Sequence, residues 1–79
     1  MSKKINDARE AIEAARDYAK HSMGAVYWSD VISCDFDEKM DCWRVVFRAS
    51  PGVLAPYYEY EIFVDSNGNI KKARRISGK

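Results

Sequence analysis

Apolar residues recur three and four positions apart over residues 5–23. From about residue 26 they recur at every second position. That change of period predicts one helix followed by strands. Ile5, Ala8, Ile12, Ala15 and Ala19 define the helical stripe, and Ala11, Tyr18 and Met23 widen it. Asp7, Arg9, Glu10, Glu13, Arg16, Asp17 and Lys20 fill the opposite face, as an amphipathic helix over a core requires. Asn6 or Ser2 is placed to cap the start, with Asp7 and Glu10 near the positive end of the dipole. Gly24 follows the last periodic residue, where a left-handed C-terminal cap is expected. The stripe is mostly alanine, so the helix can approach a sheet closely while the strands supply the large apolar groups.

Three alternating runs follow. Ile32, Cys34 and Phe36 make the first, Trp43, Val45, Phe47 and Ala49 the second, and Tyr58, Tyr60, Ile62 and Val64 the third. Residues 70–76 form a fourth strand after Asp65-Ser66-Asn67-Gly68, a tight-turn sequence. A four-residue loop over 38–41 pairs Phe36 with Trp43, Cys34 with Val45 and Ile32 with Phe47, which puts six apolar residues on one face. In that register Cys34 is inward and buried, Cys42 is outward and accessible, and Asp35 lies opposite Arg44. Arg44 and Arg48 share the outer face with Glu59 and Glu61. The expected architecture is α+β: one N-terminal amphipathic helix packed on a four-stranded antiparallel β-meander, in the order αββββ. Residues 1–79 make a single domain, since the length is too short for two.

Charge alters this picture in one respect. The net charge is +1, which gives no global field toward a polyanion. Yet residues 70–79 carry Lys71, Lys72, Arg74, Arg75 and Lys79 with no acid, +5. Residues 1–69 carry eight bases against twelve acids, −4. The basic end reads either as charge protection of an edge strand or as a phosphate-binding strip, with Phe63 or Tyr57 as stacking aromatics. No stretch approaches the roughly 18 continuous apolar residues of a membrane span, and residues 1–4 lead into no apolar signal segment. Two cysteines are too few for a disulfide framework. A cytoplasmic location with free thiols is therefore expected, without a membrane partner.

Candidate chemistry is sparse. His21 is the one histidine and sits near the helix end, where a surface role suits it. Cys34 and Cys42 have no further cysteine to complete a zinc site. Asp35, Asp37, Glu38 and Asp41 crowd one turn, but they lack the spacing of a calcium loop. No nucleophile–base pair, phosphate-cradling glycine loop or pair of buried carboxylates can be assembled. No catalytic, cofactor-binding or metal-binding residue is assigned, and no enzyme activity or cofactor is expected.

Trp43-Arg44-Val45-Val46-Phe47, a proline loop, the run Tyr58-Glu59-Tyr60-Glu61 continuing through Asp65 and Gly68 to Ile70, and then Arg74-Arg75 together resemble the gas vesicle protein O family. The helix and the tyrosine–glutamate strand with its aspartate–glycine turn are also similar to PepSY-like domains. The likeness covers residues 28–76 and implies a non-catalytic accessory domain acting through protein contacts. This sequence lacks the acidic residues around the proline, the closing tyrosine and the long charged N-terminal extension of the gas vesicle pattern. The expectation is a module that binds another protein, or a second copy of itself, through the outer sheet face and the 50–56 loop. Arg44, Arg48, Phe63, Lys72, Arg74 and Arg75 are the candidate contact residues. A nucleic-acid module using the basic last strand is the first alternative, and a small-ligand or metal-binding domain using the acidic hairpin tip is the second.

Overall fold

The computed structural model describes residues 5–78, with the side chains of 77 and 78 excluded. The fold is the expected one: a helix packed against a four-stranded antiparallel sheet. Helix α1 spans Ala8–Tyr18 and continues as a π turn over Ala19–Met23. Strands β1 (Tyr27–Asp37), β2 (Cys42–Ser50), β3 (Tyr58–Asp65) and β4 (Ile70–Gly78) lie side by side in sequence order. The helix begins three residues later than its apolar period predicts. Asp7, not Asn6, is the cap: its carboxylate accepts the Glu10 amide at 3.0 Å, while Glu10 reaches back to the Asn6 amide at 2.7 Å. Ser2 lies outside the described residues. Ile5 precedes the helix and is buried, and its amide donates to the Ser66 carbonyl at 2.8 Å.

Gly24 ends the helix with φ 72°, as expected. Its amide and that of Ala25 both donate to the Ala19 carbonyl, which satisfies an otherwise orphaned acceptor. Ala11, Ala15 and Ala19 are fully buried. Their small side chains let the backbone approach the sheet, where β2 and β3 supply Val45, Phe47, Tyr60, Ile62 and Val64. Three rings from three strands stack there. Trp28 lies 3.8 Å from Phe47, and Phe47 lies 5.3 Å from Tyr60.

Pairs Phe36–Trp43, Cys34–Val45 and Asp35–Arg44 form as read from the sequence. The Ile32–Phe47 pair does not. Val31 faces Phe47 instead, because Ser29 and Ile32 are extra residues at two irregularities in β1. Ile32 is consequently exposed, as are Val31 and Phe36, so the six-residue inner face is buried at its centre and open along the β1 edge. Edge strand β4 also has two irregularities, at Lys71 and Ile76. Kinked edges make poor templates for another strand.

The two thiols are the reverse of the expectation. Cys42 is fully buried and Cys34 only partly. Parity gives a face for Cys42 but not its exposure, and a small side chain on a central strand is flanked by neighbours on both sides. There β2 runs between Asp37 and Asp65. Burial, and after it the charge of Asp37, pushes the Cys42 thiol up; burial and then Asp35 do the same to Cys34. A thiol reagent applied to the native protein is therefore expected to modify Cys34 first and Cys42 only at the rate of opening of the sheet. Faster labelling of Cys42 would contradict this packing.

Candidate functional site

The sheet face away from the helix holds Arg44, Arg48, Lys72 and Arg74 of the charged candidates, and the register explains their arrangement. On the central strands Arg44, Val46 and Arg48 of β2 alternate with core residues, as do Glu59, Glu61 and Phe63 of β3. Glu61 lies directly opposite Arg74 of β4, and Arg44 is its diagonal neighbour on β2. The Arg44 Nε–H donates to Glu61 Oε2, and the Arg74 Nε–H donates to Oε1 at 2.8 Å. Glu61 is only 3% exposed. Burial pulls its carboxyl upward, but the hydrogen bonds from Arg74 and Arg44 and the charge behind them outweigh this and hold it below the ordinary glutamate value. Arg48 forms the second group, with Glu59 at 3.5 Å and Asp30 at 3.4 Å. Asp35 stands opposite Arg44 in the register, but the described bond of that guanidinium goes to Glu61.

Phe63 does not serve as an exposed stacking ring. It is buried at 6% exposure, like Val46 beside it on the same face. Both occupy central strands, where long arginine and lysine stems from neighbouring strands can lie across them. The basic residues of β4 do not form one strip either. Arg74 is on the outer face with Glu61. Arg75 pairs with Tyr60 on the helix side, and its guanidinium lies 4.5 Å from the Tyr58 ring. Lys72 returns to the outer face opposite Phe63, and Lys71 is the extra residue. Lys79 lies outside the described residues. Pleating and the irregularities thus divide the cations between two faces.

The 50–56 loop leaves the other end of the central strands. Ser50 is fully buried. Its Oγ accepts the Gly52 amide at 3.2 Å and lies 2.6 Å from the Gly52 carbonyl and 3.1 Å from that of Ala55. The Ala55 amide closes the turn on the Gly52 carbonyl at 3.2 Å. This knot presents Val53 at 76% and Leu54 at 98% exposure. The sequence placed these residues where burial was not assured, and the structure puts both outside. The serine at the strand end was the missed signal, since a hydroxyl there can tie a Pro-Gly turn.

At the β1–β2 tip, Asp37 Oδ1 accepts the amides of Lys39 and Met40, so this carboxylate caps its own turn. Among the described residues no three metal-ligating side chains converge. An open depression of about 450 Å³ lies there, lined by Asp35, Phe36, Asp37, Glu38, Lys39 and Arg44. His21 is exposed, with Nδ1 at 2.9 Å from the Asp17 carbonyl. No described helix is long and apolar enough to cross a membrane.

Comparison with family models, with curated proteins and with solved structures returns no match.

Proposed function

We propose that this domain is a non-catalytic protein-interaction module that meets its partner through the 50–56 loop and the outer sheet face. The observation that carries the reading is Leu54, almost wholly exposed on a loop tied by a buried serine. An apolar side chain held out on an ordered turn loses little further entropy when it enters a partner's apolar pocket. Arg48 and Glu59, paired close to where β2 and β3 lead into the loop, supply charged groups toward its base, as the polar rim of an interface requires. The pattern likeness to accessory domains points the same way. The nucleic-acid alternative is weaker because the β4 cations are divided between two faces, with Lys72 and Arg74 outside and Arg75 against Tyr58 on the helix side.

The test uses the full-length protein and Val53→Ser/Leu54→Ser. Both side chains are exposed, so stability is expected to change by less than about 0.5 kcal/mol. Quantitative affinity capture from native lysate, with sedimentation of the free protein at rising concentration, is expected to show a bound protein or self-association that the double variant loses. Identical retention by parent and variant, or neither capture nor self-association by the parent, would overturn the proposal.

A further inference from the structure

Glu61 uses both carboxylate oxygens on the Nε–H groups of Arg44 and Arg74, one oxygen for each. Neither guanidinium makes another hydrogen bond among the described residues. The terminal nitrogens of both therefore remain available, on side chains that are 39% and 56% exposed. A buried carboxylate beneath two arginines orients them without exhausting their donors, since each guanidinium has five N–H groups. Lys72 lies on the same face one pleat along from Arg74. Arg44, Arg74 and Lys72 against Glu61 and Asp35 leave a local excess of +1. The surroundings are different in character: Asp30 and Glu59 are grouped around Arg48, and Asp35 stands opposite Arg44.

We infer that the Arg44–Arg74 pair is a preorganised binding site for a single carboxylate of a protein partner, with Glu61 as its positioning residue. Two guanidiniums drawn to one buried carboxylate each keep terminal N–H groups that can donate to an oxygen of a second, planar carboxylate. The acidic surroundings disfavour a run of phosphates, which would meet Asp30, Asp35 and Glu59 on either side of the pair. The carboxylate can belong to the free C-terminus of the partner or to one of its aspartate or glutamate side chains. This inference deepens the protein-interaction reading, but its test requires no partner.

The probes are three short peptides that are otherwise uncharged. One has a free C-terminal carboxylate, one has a single glutamate and an amidated C-terminus, and one has neither acid. The readout is the Nε–Hε resonances of the arginines in the folded protein. Saturable shifts at Arg44 and Arg74 are expected with an acid-bearing peptide and not with the neutral one. The first two peptides show which source of carboxylate binds better. Arg74→Gln is expected to abolish the response, while Leu54→Ser leaves it intact. Glu61→Gln adds one positive charge to the face, so a mere basic patch would bind more tightly. A preorganised pair instead loses about tenfold in affinity. An unchanged amide spectrum away from β3 confirms that each variant is folded. The inference is overturned if the two arginines do not respond, if Glu61→Gln tightens binding, or if a single-stranded oligonucleotide binds the same pair more tightly at physiological salt.

Discussion

Phe47→Ala is expected to leave the protein largely unfolded at 25 °C. Phe47 is fully buried between Trp28 and Tyr60, with both rings against it. Truncating a phenylalanine in such a place costs about 3–5 kcal/mol, because the transfer term is joined by a cavity that the neighbours cannot close. The alanine-rich helix stripe cannot fill the gap, since Ala11, Ala15 and Ala19 have no reach. A domain of this size has only about 3–5 kcal/mol of stability from its core. Loss of amide dispersion and exposure of tryptophan fluorescence would be the signs. A variant that still unfolds cooperatively, with a loss below about 1 kcal/mol, would show that the aromatic stack is not the core.

The second large effect concerns Glu61 and its dependence on pH. Replacing its ionised carboxylate by an amide removes one charged acceptor and leaves two arginines less well paired. Hydrogen bonds to charged groups contribute about 1.5–3 kcal/mol each. Arg44 and Arg74 are partly exposed and can be rehydrated, so Glu61→Gln is expected to cost about 2 kcal/mol at pH 7. Because the folded carboxyl titrates below the unfolded one, the charged form stabilises the fold. That contribution is fully present above about pH 4.3, the unfolded value. It is lost as pH falls through the lower folded value. Denaturant melts of parent and variant from pH 7 to pH 2.5 should therefore converge in acid, where the protonated glutamate resembles glutamine. A gap that persists or widens in acid would show that the guanidinium bonds do not hold Glu61 ionised.

The parts of the fold legible in the sequence are those set by period and turn chemistry. Alanine spacing located the helix, Gly24 its end, and the Asp65–Gly68 turn the last hairpin. Parity placed Arg44 and Arg48 with Glu59 and Glu61. The errors have a common cause. A β-irregularity adds a residue without changing composition, so Val31-Ile32 read as a continuous alternation and the wrong one was paired with Phe47. Parity also specifies a face without saying what covers it, which is why Cys42 and Phe63 were expected outside. The candidate site was half legible. The charged cross-strand neighbours could be named, but Arg74 reaches Glu61 only through a β3–β4 register that shifts at Lys71. The loop tip was named as irregular, whereas its order depends on one serine hydroxyl.

In the proposed function the 50–56 loop and the outer face together form the contact surface. Amide and arginine side-chain shift mapping of the isotopically labelled protein, titrated with a captured partner or to its own self-associated state, tests it directly. The largest perturbations are expected on Val53, Leu54 and their loop, and on Arg44, Glu61 and Arg74, with α1 unaffected. Perturbations centred on the exposed side of α1 or on the acidic β1–β2 tip, with the loop and arginines unchanged, would contradict it.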